Sequence, residues 1–269
     1  MTVSLLSRVL QAWAADAAAF AEVLAEQDSS WRAETFPLAG GRVVLCGSGM
    51  YVNAAIGVGL DGALSQSEWT QLEERSAAVG VEPSIEVSPA TAGDVLGQLA
   101  ARGYQCSARR LALYRTLDSA DAANDADPAF VIEPANGELL SIWQATSASG
   151  WGHVEPGAIA SSNAFARAAA VVDEDRFLLV CDAVDGRPIG CASLTVRDGV
   201  ATLGGMSTLP SERGRGVQSA LIVHRVRLAA ELGCDIVTST VVPGGASERN
   251  LVRHGLEPWF ALDTYTKAN

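Results

Sequence analysis

The sequence predicts an α+β fold in which helices pack on a mixed, partly antiparallel sheet. Three observations point there. Short apolar runs bounded by turn residues alternate with stretches of helical periodicity. Two such runs meet at Asp198-Gly199, a dipeptide suited to a tight hairpin. The order of elements in residues 1–117 is similar to that in 129–269, after an acidic stretch at 118–128.

Residues 3–25 are rich in Ala and Leu, and Leu6, Val9, Leu10, Trp13, Phe20 and Leu24 recur at helical spacing. Runs at 42–46 and 53–58 predict a hairpin. Ser65 and Glu68 make a capping box that opens a helix to Val79, stopped by Gly80. Residues 84–87 predict a strand, 91–102 a helix closed by Gly103, and 104–107 with 111–116 a second hairpin. The stretch 118–128 is small, polar and acidic, and predicts a linker between two domains.

Beyond it, 130–133 predicts a strand, and 137–147 and 156–171 predict helices. Strands follow at 177–183, 189–196 and 200–206, then a long helix at 216–232 ended by Gly233. The last elements are a strand at 235–241, a short helix at 246–254 ended by Gly255, and a strand at 259–266. A weak internal repeat links the halves. Gly41-Arg42-Val43-Val44-Leu45-Cys46 resembles Gly186-Arg187-Pro188-Ile189-Gly190-Cys191, and Leu99-Ala100-Ala101-Arg102-Gly103 resembles Leu251-Val252-Arg253-His254-Gly255.

Composition narrows the function. Of the 269 residues, 48% are hydrophobic and 19% charged, which supplies a core and carries no disorder signature. The net charge of −12 argues against non-specific binding to nucleic acid or anionic membranes, and suits small amine substrates. No apolar run reaches a membrane span, and the first residues lack a signal-peptide pattern. Cys46, Cys106, Cys181, Cys191 and Cys234 lie in or beside apolar runs without CxxC spacing, which predicts buried reduced thiols in a cytoplasmic protein. His153, His224 and His254 are scattered, so no metal site is expected.

The strongest local signal runs from Ser207 through Arg213-Gly214-Arg215-Gly216-Val217-Gln218-Ser219, where a strand hands over to a helix. Gly214 and Gly216 permit positive φ and close approach of a ligand. The first helical turn adds free N–H groups and the positive end of the macrodipole, and together these make a cradle for a diphosphate. The loop lacks the Gly-Lys-Ser/Thr ending of a nucleotide P-loop and the GxGxxG of a dinucleotide fold.

Arg213-x-x-Gly216-x-Gln218 resembles the (Gln/Arg)-x-x-Gly-x-(Gly/Ala) loop of the GNAT family of N-acetyltransferases, with Gln218 where Gly or Ala is usual. The resemblance covers about residues 130–265, including Pro243-Gly244-Gly245-Ala246-Ser247-Glu248-Arg249-Asn250. It implies an acyl-CoA N-acyltransferase fold, here in two tandem copies with a degenerate N-terminal one.

It also implies acetyl-CoA as co-substrate and a small-molecule amine as acceptor. The strand ending at Met206, Ser207 and Thr208 would pair with the pantetheine arm, amides from Arg213 to Ser219 would hold the diphosphate, and Ser247 and Asn250 would face the pantetheine or thiol.

The family's usual acid tyrosine is replaced by Leu251, which leaves Tyr265 as a substitute or as a packed aromatic. His153 and Glu155 are candidate bases in a loop between two helices, and Trp151 is a candidate wall of the acceptor pocket. Leu251 and Gln218 support a rival reading, an acyl-CoA-binding regulatory module without turnover, and a third reading is transfer from another acyl donor. The chain is expected to act as a monomer or homodimer.

Overall fold

The computed structural model describes residues 4–123, 127–172 and 176–267. They form two compact units, one of Met1–Leu111 with Phe260–Asn269, the other of Ala112–Trp259. Of the expected linker at 118–128, residues 124–126 lie outside the described residues and the rest falls inside the second unit, while the described residues from Phe260 onward return to the first. Part of that acidic stretch is ordered by its own charges. Asp121 is buried, accepts the Asp118 N–H (3.1 Å) and pairs with Arg115, within a short 3-10 turn at Asp121–Ala123.

In the first unit, α1 (Leu5–Gln27) begins at Ser4, whose hydroxyl accepts the Ser7 N–H (3.1 Å). Strands β1 (Glu34–Leu38), β2 (Gly41–Leu45) and β3 (Ala54–Ile56) pair antiparallel in sequence. β1 was not legible in the sequence because Pro37 interrupts it. Proline is confined to edge strands, and β1 stands at the end of the strand order. The capping box at Ser65 and Glu68 opens α2 (Gln66–Val79), and Gly80 closes it at φ 76.

β4 (Ser84–Val87) runs parallel to β3, then α3 (Gly93–Ala101) leads to β5 (Gln105–Thr116). The second expected hairpin is one continuous strand. Ala108-Arg109-Arg110 has no turn residue, and its arginines pair with Asp263 and Glu86. Residues from Asp263 onward pair antiparallel with β4. The core of this unit gathers Phe36, Leu45, Trp69, Leu72, Ile85, Leu99 and Tyr104, with Tyr265 packed against it.

The second unit holds β6 (Phe130–Pro134), α4 (Glu138–Trp151), α5 (Pro156–Ala169), β7 (Arg176–Asp182), β8 (Pro188–Arg197) and β9 (Val200–Thr208). Then come α6 (Val217–Glu231), β10 (Ile236–Val241), α7 (Ala246–Arg253) and the start of β11 (Glu257–Thr266). β6 to β9 form an antiparallel run in chain order, and β10 lies parallel to β9 after the crossover through α6.

Two features of this sheet shape the site. β9 pairs with β10 only from Val200 to Thr202, so the edge from Gly204 to Thr208 has no backbone partner on that side among the described residues. β8 and β9 slip register between Cys191, opposite Ser207, and Ser193, opposite Gly204. The slip leaves Gly205 and Met206 facing Ala192 alone, a β-bulge with Gly205 at φ 54.

Four of the five cysteines are buried as expected, and Cys106 is exposed, in the first part of β5 where every residue from Gln105 to Arg109 is exposed. No helix of the described residues is long and apolar enough to cross a membrane.

Candidate active site

The second unit contains a cleft of about 520 Å³ at the C-terminal end of β9. β9 supplies Met206, Ser207 and Thr208. The loop and first turn of α6 supply Glu212, Arg213, Gly214, Gly216, Val217, Gln218 and Ser219. Gly150 and Trp151 close one side, and Ala246, Ser247, Asn250 and Arg253 of α7 the other.

The loop has the expected backbone. Gly214 sits at φ 82 and Gly216 at φ 92, conformations that side chains rarely adopt. Gly216 is the N-cap of α6 and has no capping side chain. The first i→i−4 bond of the helix runs from Ala220 N–H to Gly216 C=O (3.0 Å), so the amides of Val217, Gln218 and Ser219 precede the ladder. A Cβ on Gly214 would meet nothing within 4 Å. The open corner, the free amides and the cleft volume all suit a diphosphate with an extended arm.

The two loop arginines have different tasks. Arg213 lines the cleft and donates through Nη2 to Gly150 C=O (2.9 Å). Arg215 does not line it. Its guanidinium pairs with Asp182 (2.6 Å) and with Glu212, which also accepts from Arg187 (2.9 Å). The arginines beside Glu212 hold its carboxyl down to about 2, and Arg215 likewise lowers that of Asp182. Of the two arginines in the expected loop, only Arg213 therefore brings its charge to the cleft, because two carboxylates engage that of Arg215.

Gln218 turns toward α7, not into the diphosphate corner. Its amide nitrogen donates to Ser247 Oγ (3.3 Å), its oxygen accepts from Asn250, and Asn250 Oδ1 in turn accepts from Arg253 (2.7 Å). Ser247 does not cap α7. The N-cap is Gly245, and the Glu248 carboxylate takes the Gly244 N–H.

Trp151 is not in a loop. It ends α4, stands 59% exposed and lines the cleft, with Gly152 capping the helix at φ 72. The helix outruns its sequence expectation, and Gly150 within it permits close packing on β9. A Cβ there would lie 1.8 Å from Ser207 Oγ. On the other side, a Cβ on Gly190, opposite Thr208, would lie 2.8 Å from Val217 Cγ1. Neighbouring residues of a strand point to opposite faces, so α4 and α6 clasp this end of β9 from both sides.

Besides Arg215, the three candidate catalytic residues do not line the cleft. His153 is half-buried, and its Nδ1 has no hydrogen-bond partner among the described residues. Glu155 is exposed and stands at the N-cap of α5 without a side-chain capping bond. Tyr265 packs on the core of the first unit. Leu251 is buried, so α7 places no acid at that position. Gly150, Glu212, Ala246 and Arg253 line the cleft and were not anticipated. Ala246 and Arg253, each one turn from Asn250 on α7, had a periodic signal. Among the described residues no group of three or more His, Cys, Asp or Glu could hold a metal ion.

Residues 136–256 match the sequence model of the Acetyltransferase (GNAT) family. This segment forms a GNAT domain. Its class is that of the N-acyltransferases. Solved structures with the same fold include a GCN5-related N-acetyltransferase from Kribbella flavida, 15% identical, with a TM-score of 0.62 over 93% of this chain and 95% of that one. A tandem GNAT protein from the clavulanic acid biosynthesis pathway is 13% identical, with a TM-score of 0.61 over 97% and 94%. A GCN5-related N-acetyltransferase from Sphaerobacter thermophilus is 16% identical, with a TM-score of 0.54 over 75% and 64%. No curated protein matches the chain by sequence. The cleft lies within the matched segment, and its corner at Gly214 and Gly216 is the loop that carried the motif.

Proposed function

We propose that the GNAT domain transfers an acetyl group from acetyl-CoA to the amine of a small molecule. The observation that carries this reading is the open helix N-terminus at Gly216, set in a cleft beside the unpaired edge of β9. In this reading the amides of Gly214 to Ser219 and the Arg213 guanidinium hold the diphosphate. The β9 edge from Met206 to Thr208 takes the pantetheine arm as an added strand.

Acetyl-CoA supplies the activated thioester. The acceptor nitrogen forms a bond to the carbonyl carbon, the C–S bond breaks, and CoA leaves as the thiol once a proton reaches its sulfur. This chain's residues orient both partners and polarise the carbonyl through a backbone N–H of the bulge. Trp151 is our assignment for the acceptor wall. His153, two residues further on, is our candidate base, with Glu155 as the alternative, each acting through a water since neither lines the cleft. Tyr265 we assign to packing. The N-terminal unit we read as a degenerate second copy, supported by the tandem GNAT relative that matches over 97% of this chain. The soluble-type composition and unpaired thiols suit the cytoplasm.

Calorimetric titration with CoA and acetyl-CoA tests binding, and thiol release with an amine panel tests turnover. Gly216→Trp should abolish CoA binding while circular dichroism shows a folded chain. Unchanged affinity refutes the loop assignment. Binding without thiol release favours the regulatory-module reading that the buried Leu251 suggests.

A further inference from the structure

Arg225, in the middle of α6, is 0% exposed, and no carboxylate pairs with it among the described residues. Burial pushes its pKa down to about 9, which still leaves a cation at neutral pH. An unpaired buried charge is costly, and an apolar side chain could fill the same volume. What the guanidinium does instead is satisfy the bulge of β9. Nη1 donates to Ser193 C=O (2.9 Å) and to Gly204 C=O (3.0 Å), the two residues that face each other where the register slips. Nη2 reaches Met206 Sδ (3.0 Å), and Nε donates to Leu221 C=O (3.1 Å) within the helix. From α4, Trp143 Nε1 donates to Ala192 C=O (3.1 Å), the residue that the bulge leaves opposite two others. The bulge is thus fixed from both faces, and its Met206 lines the cleft.

We propose that Arg225 is a positioning residue for acyl transfer, holding the β9 bulge so that the backbone at Met206 and Ser207 keeps its orientation toward the acyl donor. This rests on reading the cleft as the acyl-CoA site. The diphosphate loop is anchored separately, by Arg215 with Asp182 and Glu212. Loss of Arg225 should therefore affect transfer more than CoA binding.

The test measures kcat from thiol release, and Kd for CoA by calorimetry, in wild type, Arg225→Met and Arg225→Lys. Arg225→Met should lower kcat by about 100-fold, the scale of a misplaced reacting group, with Kd for CoA within about threefold of wild type. Arg225→Lys should recover part of kcat, since an ammonium can stand in for Nη1 between Ser193 and Gly204 C=O but replaces neither the Nε bond to Leu221 C=O nor the Nη2 contact with Met206. Wild-type kcat in a folded Arg225→Met variant overturns the proposal, as does a loss of CoA affinity equal to the loss of kcat. Should Arg225→Met fail to fold, Arg225→Lys decides, and wild-type kcat there overturns it. A wild type that binds no CoA or releases no thiol overturns the site reading, and this inference with it. A wild type that does both, with unaffected variants, overturns this inference alone.

Discussion

Gly150 on α4 and Ser207 on β9 are packed so closely that a Cβ on the glycine would stand 1.8 Å from Ser207 Oγ and 3.2 Å from Thr208 C=O. The strand edge that lines the cleft therefore has a helix pressed directly against it. Gly150→Ala should destabilise the protein by about 1–3 kcal/mol, as overpacking of a tight contact does. It should also weaken CoA binding by moving β9. Adding Ser207→Ala removes the worst contact, so the double variant should regain part of both losses. Urea unfolding and CoA titration of the two single variants and the double variant check this. Additive losses would show that the two residues are not coupled as the structure has them.

The loop arginines should separate in their effects. Arg213 faces the cleft and holds Gly150 C=O, whereas Arg215 is engaged by Asp182 and Glu212. Arg213→Ala should lower CoA affinity by about tenfold or more, the scale of one charge-assisted contact, with a small change in stability. Arg215→Ala should lower stability more than affinity. Equal losses of affinity in the two variants would contradict the assignment of one arginine charge to the ligand.

Gln218 should behave as a tie between α6 and α7. It contacts Ser247 and Asn250 together, so Gln218→Ala and Asn250→Ala remove the same interaction. Each should cost about 1 kcal/mol in stability, with the double variant short of the sum by about 0.5 kcal/mol or more. Chemical denaturation of the cycle measures the coupling. A fully additive double variant would mean that Gln218 has no structural reason to depart from the small residue usual at its position.

Much of this was legible because the signals were local. Ser65 and Glu68 announce a helix within four residues, Asp198-Gly199 announces a hairpin within two, and the stretch from Ser207 to Ser219 carries its glycines on the turn that needs them. What stayed hidden depended on distant partners. Arg109 and Arg110 looked like a polar break in β5 because Asp263 and Glu86 lie far away in sequence. Arg225 reads as a solvated helix residue until the bulge carbonyls of Ser193 and Gly204 are placed beside it. Arg215 sits in the loop motif, and only the fold brings Asp182 beside its guanidinium. The cleft's backbone could be anticipated from glycines, but its side-chain electrostatics required the fold.

Those loop electrostatics set an acid limit on stability. Glu212 has its pKa lowered from an ordinary 4.5 to about 2, first by hydrogen bonds from Arg187 and then by those from Arg215. A carboxylate depressed in the folded state stabilises it above the unfolded pKa, and that contribution is lost as the pH falls through the folded one. The window is therefore about pH 4.5 down to about 2. Glu212→Gln removes the titrating group. The variant should be less stable than wild type at neutral pH, and the gap should narrow as acid protonates Glu212 in the wild type. Asp182 remains in both proteins, so both retain some acid sensitivity. Urea midpoints taken across this pH range for the two proteins give the comparison. A gap that stays constant down to pH 2 would mean that Glu212 does not carry the charge that locks the diphosphate loop.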